Sequence, residues 1–370
     1  MILLFTLACV SSTDKADDRP KGGDDTGPVD EAPPSILGEE GDAVTWTPIL
    51  TRDDRLSDPR DLGFDTDGNL WVANRADDRT FIVLDPGTDE QGVDRRRDGY
   101  AEHFMEETAA FSFEDASGAG DHGPEFGSCG ESENTYNGTE RENEFMGPVL
   151  WATDLDIFAE QNPEGLGSHL DMQHESPLCV GIAWEADNVY WVFDGFHHAI
   201  VRYDFMDDHD IGQDDHSDGI VYRYTEPVVA RVENAPGHMV FHHATGMLYV
   251  ADTGNGRILR LDTTTGEVGR DLRQTQERIV AYAEWDGAEW TEIITGLDKP
   301  GGLALDGDHL IVGEWGTGML YDYTLDGERV ASLDAGVGAE ALYGVEVGPD
   351  GGLWITETAT PAVVRLDVSR

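Results

Sequence analysis

The sequence predicts an all-β chain closed into a six-bladed β-propeller, and three observations predict it. A strand ending in an acid or amide recurs as LWVAN at Asn74, YWVFD at Asp194, LYVAD at Asp252, LIVGE at Glu314 and LWITE at Glu357. A following strand recurs as FIVLD, AIVRYD, RILRLD and VVRLD, ending at Asp85, Asp204, Asp262 and Asp367. TWTPILT from Thr45 repeats EWTEIIT from Glu289, although one opens the series and the other lies inside it.

The clearest unit runs from His238 to Gly266. It contains three short apolar segments, Met239 to His242, Met247 to Ala251 and Ile258 to Leu261, parted by turns of Gly, Asn, Thr and Asp, and no helix of ordinary length fits it. One such sheet leaves an apolar face bare, so it needs neighbours. The strand-end acids from Asp194 onward are 58, 62 and 43 residues apart, and the 120 residues between Asn74 and Asp194 leave room for one more unit. That unit is a divergent copy, with FSFE from Phe111, CGESENTY from Cys129 and VLWATDLDIF from Val149. Six four-stranded blades follow. The last blade runs out of chain at its third strand, so Thr45 to Thr51 is expected to supply its outermost strand and close the ring, which removes the exposed sheet edges. Pro48 is acceptable on such an edge.

Before the ring, residues 1–9, MILLFTLAC, read as a signal of lipoprotein type, with Cys9 as the acylated residue; a plain secretory signal or a chance match is the alternative, and the run is too short to span a membrane. Residues 10–44 carry ten acidic and three basic residues and few bulky apolar ones, so they read as a disordered acidic linker. The propeller is assigned to residues 45–370. The chain's net charge is −51, of which the linker supplies only −7, and this excludes nucleic acid and anionic membrane surface as ligands of the folded part. Membrane contact is expected only through a lipid anchor. The expected location is the bacterial periplasm or cell surface, as a monomer.

Cys129 and Cys179 remain after Cys9, one in the second blade and one on the inner strand of the third. In an exported protein they are expected to form a disulfide between adjacent blades; two buried thiols are the alternative.

Chemistry is expected in the loops. The face carrying the connections into the inner strands collects Arg60, His169, His174, Asp194, His198, His238, Asp252, Lys299, Glu314, Tyr343 and Glu357, whereas His209, His216, His242 and His243 are assigned to the opposite face. Nine of the twelve histidines lie between His169 and His243. His174 and His238 precede the inner strands of neighbouring blades and are the expected ligands of zinc or another divalent cation, with Asp194 or His198 beside them. Arg60, Asp252, Lys299, Glu314, Tyr343 and Glu357 are the expected ligand contacts. The strand-end acids have two readings: a cation site, including calcium, or acceptors for the amides of the turn that follows. The acidic loop DDHDIGQDDHSDG from Asp207 is longer than a turn requires and is a second candidate for a cation.

With these residues in view, LYVADTGNGRILRLD and its relatives resemble NHL repeats, over most of residues 55–370. YWVFDGFHHAIVRYD and the later GHMVF with ADTGNGRI resemble the lyase domain that cleaves peptidyl-α-hydroxyglycine, a zinc enzyme on the same propeller. That resemblance implies a metal-binding His before the inner strand, which His174 and His238 match. The family's Tyr in the DGY turn is Phe196 here, and its Arg after the strand-end Asp is Thr253, so the activity is not implied. Gluconolactonase-type propellers are a looser likeness. The expectation is therefore a propeller that binds a small molecule or protein, with a metal-dependent lyase or hydrolase as the alternative.

Overall fold

The computed structural model describes residues 34–39, 41–115, 122–134, 143–160, 162 and 165–369. Cys9 and residues 1–33 lie outside them. Blade 1 is formed by Pro59–Phe64, Leu70–Asn74, Arg79–Leu84 and Gly92–Arg96, each strand antiparallel to the next. Blade 2 comprises Thr108–Phe113, Glu125–Gly130, Val149–Ala152 and a two-residue outer strand, Asp171–Met172. In blade 3 the order is Cys179–Ala186, Val189–Asp194, Ala199–Asp204 and Ile220–Tyr224. Blade 4 has Met239–His242, Met247–Asp252, Arg257–Asp262 and Glu289–Thr295. Pro300–Asp306, His309–Glu314, Met319–Thr324 and Arg329–Asp334 make blade 5. Blade 6 takes Leu342–Val347, Leu353–Glu357 and Ala362–Ser369 from the end of the chain, and its outer strand, Ala43–Leu50, from the beginning.

The closure expected from TWTPILT is present, with Thr45 opposite Asp367 and Trp46 opposite Leu366. The folded chain starts earlier than Thr45, however. Leu37 is buried in the core between blades 5 and 6 and the closing strand begins at Ala43. Ile36 and Leu37 are the bulky apolar pair of a stretch otherwise too polar to pack, and this pair is what docks.

The alternation of the strands explains the core. Each blade presents one apolar face to each neighbour, and the buried side chains fall into six main clusters, one per junction, with the sixth joining Ile49, Leu50 and Trp354 of blade 6 to Leu62, Val72 and Phe81 of blade 1. Trp71, Trp191 and Trp354 occupy the same place in the repeated second strand and are at most 2% exposed. Burial of a ring this size contributes about 4 to 6 kcal/mol before entropy is counted. The blades also touch through backbone: a Cβ on Gly181 would lie 2.1 Å from the carbonyl oxygen of Gly237, so only glycine fits there.

One departure from regularity matters for function. Between the third and fourth strands of blade 4 the chain makes an excursion, a hairpin of Glu267–Asp271 and Ala281–Asp286, whose second strand pairs parallel with Ile220–Tyr224 of blade 3. It covers the outer edge of blade 3 and brings Glu277 back to the junction of blades 2 and 3. Among the described residues no helix is long and apolar enough to cross a membrane.

Candidate functional site

The inner strands of all six blades surround a channel containing a cavity of about 380 Å³. Asp61 of blade 1, His238 before the inner strand of blade 4 and Glu346 of blade 6 line it, with Phe64, Phe111, Phe113, Trp184 and Phe241 as apolar wall. Asp61 accepts from the amides of Leu62 at 2.9 Å and Phe111 at 2.8 Å, and His238 Nδ1 stands 3.5 Å from its Oδ1. Burial raises the pKa of Asp61 against the opposing pull of His238. Burial, with the charge of Asp61, pushes the half-buried Glu346 up to about 8 from an ordinary 4.5. Among the described residues no Arg or Lys lines the cavity.

Glu346 has a consequence for stability. Between about pH 4.5 and 8 the folded chain keeps a proton that the unfolded chain has lost, so this group lowers stability as pH rises through that window. The Glu346→Gln variant should therefore show a shallower fall in Tm from pH 5 to 8 than the parent. Parallel Tm curves would contradict the assignment.

The mouth on the face of the inner-strand connections is bridged. Asn234, in the connection from blade 3 to blade 4, receives hydrogen bonds at its carbonyl from Arg60 at 3.0 Å and from the Tyr343 hydroxyl, and at its side chain from Arg75 at 2.7 Å. Its amide donates to Glu131 at 3.0 Å. Blades 1, 2 and 6 are thus tied across the opening by one residue from the 3–4 connection. Arg60 also lies 4.5 Å over the Tyr343 ring and pairs with Asp58. Arg60 and Tyr343, expected to contact ligand, hold this bridge.

The remaining expected contacts are engaged within the fold. Asp252 accepts from the Ala230 amide at 2.8 Å and pairs with Arg257 at 2.7 Å. Glu314 accepts from the Asp298 amide, Glu357 from the Thr360 amide, and Lys299 pairs with Glu340. Asp194 caps its turn through the amides of Phe196 and His197 and the His197 ring. His198 is exposed in that turn at φ 58°. Of the two lyase positions, Phe196 is exposed and Thr253 is buried, donating to the Pro236 carbonyl.

His174 and His238 do not meet. His238 faces the channel, whereas His174 lines a second cavity, of about 340 Å³, at the junction of blades 2 and 3. There its Nδ1 pairs with Glu277 at 2.6 Å, its ring stacks on Phe145 at 3.8 Å, and its Nε2 lies 3.4 Å from His103 Nε2. The pairing expected from their common position before inner strands fails because His174 is turned outward by Glu277, delivered by the blade 4 excursion. Asp194 and His198 therefore join no His174–His238 pair.

Three further histidines gather beside the same cavity. His209 and His216 are assigned from the sequence to the opposite face from His169, yet the His209 ring lies 4.9 Å from that of His169 and 5.0 Å from that of His216. The face assignment fails at His169, which precedes the two-residue outer strand of blade 2 and not an inner strand. Asp171 of that strand completes a group with His209 and His216 whose donor atoms all lie within 4.8 Å of one another. Burial holds His169 and His209 below the usual imidazole range and, with the charge of His174, takes His103 down to about 4. Burial raises Asp171, despite the hydrogen bond from His216.

No protein-family model matches the chain, and no curated protein does. Solved structures match. A luciferin-regenerating enzyme superposes with a TM-score of 0.52 at 9% identity, over 88% of this chain and 97% of that one. Virginiamycin B lyase from Staphylococcus aureus gives 0.48 at 11% identity, over 88% and 100%. The calcium-binding protein regucalcin from Agrobacterium tumefaciens gives 0.49 at 16%, over 87% and 91%. At these identities the likeness is one of fold, and that fold is the six-bladed β-propeller described above.

Proposed function

We propose that this chain is an exported propeller of NHL type that binds a small organic cation in its central channel. One observation carries the reading: Asp61 and Glu346, on the neighbouring inner strands of blades 1 and 6, repel each other where they line a cavity of ligand size, and among the described residues no Arg or Lys lines it. A bound ammonium group would relieve that repulsion, and aromatic walls favour it further. The strongly negative chain raises the local concentration of cations. With Asn234 across one mouth, the ligand enters from the face of the hairpins between first and second strands. Export agrees with the Cys129–Cys179 disulfide, and acylation of Cys9 would tether the protein, which acid mass analysis of the mature N-terminal peptide would detect.

Calorimetry with choline tests the channel. The parent should bind it, more tightly as pH rises and Glu346 gives up its proton, and Glu346→Gln and Asp61→Asn should each weaken binding about tenfold or more. Equal binding by the parent and both variants, or none by the parent, would overturn the reading. The alternative of a metal-dependent lyase or hydrolase loses its expected ligand pair, because His174 and His238 line different cavities.

A further inference from the structure

We propose that Asp171, His209 and His216 bind a divalent transition metal of the zinc class, with a coordination position left open towards the aromatic cavity between blades 2 and 3.

The first support is the state of the donor atoms. Asp171 is fully buried; its Oδ1 accepts from the Met172 amide at 2.6 Å and lies 2.8 Å from His216 Nδ1, while its Oδ2 has no partner. His209 Nδ1 is engaged by the Asp210 carbonyl at 2.8 Å, which places the proton on that nitrogen and leaves Nε2 as a bare lone pair. This Nε2 is also buried without a partner and stands 4.0 Å from Asp171 Oδ1. An orphaned buried polar atom costs about 1 to 3 kcal/mol, and two of them in residues whose ligand atoms lie within 4.8 Å of one another are what a cation held there would satisfy.

The second support is the backbone that presents them. The 207–219 loop is clamped onto the segment before Asp171: Leu166 donates to the Gly212 carbonyl at 2.8 Å, Gly212 to His169 at 2.8 Å, and His209 to Leu170 at 3.1 Å. Gly212 has φ +66°, and a Cβ there would lie 2.5 Å from the Gly167 carbonyl oxygen. The close fit fixes both histidines over the carboxylate. Ligand atoms around a tetrahedral zinc, each about 2.0 to 2.2 Å from it, are separated by about 3.4 Å, so the observed spacing needs only small side-chain adjustment.

Donor chemistry decides the ion. Two imidazoles and one carboxylate suit zinc or its transition-metal neighbours; calcium takes about 6 to 8 oxygens, which the site does not offer. Three protein ligands leave a position free. His216 belongs both to the donor set and to the wall of the 340 Å³ cavity, whose other side is Tyr100, Phe104, Phe145 and Leu166. The position therefore suits a small molecule with a metal-binding group on an aromatic body.

The full chain, stripped with a chelator and dialysed at high salt to suppress binding to the acidic surface, is titrated with zinc and its metal content measured. The parent should take up one tight equivalent. His209→Ala and His216→Ala should each weaken it at least about 100-fold, and the shape-preserving Asp171→Asn should do the same even if a histidine variant fails to fold; His238→Ala should leave it unchanged. No tight equivalent in the parent, or full retention by Asp171→Asn, would overturn the site. Benzohydroxamate should bind the zinc-loaded parent and not the stripped one. Equal binding to both, or to neither, would overturn the open position.

Discussion

A chain shortened to begin at Thr51 should not yield a soluble, cooperatively folding propeller. The strand it loses pairs with Ala362–Ser369 along its length, and Ile49 and Leu50 are buried against Trp354, Val363 and Leu62 at the junction of blades 6 and 1. Removing two such side chains costs about 2 to 5 kcal/mol each, comparable with the whole stability of a typical domain, about 5 to 15 kcal/mol. The strand left at the edge of blade 6 would also offer its unpaired amides and the apolar Val364 and Leu366 to other chains. Size-exclusion chromatography and near-ultraviolet circular dichroism read the outcome. A soluble monomer melting at the temperature of the parent would refute the closure argument.

Replacing Cys129 and Cys179 together by Ala should lower the stability of the oxidised protein by about 4 kcal/mol. The bridge joins residues 50 apart in sequence, and the loop-closure entropy it removes from the unfolded chain has that size. Both sulfurs sit in the core between blades 2 and 3, so the substitution adds a modest packing loss to the entropic one. Urea unfolding of parent, reduced parent and double variant measures the difference. Coincident midpoints would show that the bridge adds nothing to the ring.

Architecture was legible in the sequence because it is periodic. LWVAN, YWVFD and LWITE place their tryptophans alike, and the structure buries all three alike. The strand-end acids were legible as well, in the structural reading that competed with the cation site: Asp194, Asp252, Glu314 and Glu357 each accept the amides of a neighbouring turn. The disulfide followed from cysteine count and blade assignment.

The sites were less legible, because they are built where the period breaks. Asp171–Met172 is too short to carry any alternation, so nothing in the sequence marks it as an outer strand, and His169 was assigned to the wrong face in consequence. Glu277 reaches His174 from 103 residues away by an excursion that no repeat announces. Asp61 and Glu346 occupy inner strands that read as ordinary core, and only the ring brings them into one channel. One signal did point the right way: the 207–219 loop is longer than its turn needs, and it carries two of the three proposed metal ligands.

Closure by a strand from the other end of the chain has a topological consequence. Ala43 faces Ser369 as the outermost pair of the same ladder, so the two termini of the propeller emerge side by side from one blade. Measured by its contacts the ring has no first blade, since each of the six junctions carries a core of the same kind. Where the polypeptide starts and stops is then a choice among equivalent connections, and whatever is fused to either terminus is presented at the same place on the rim.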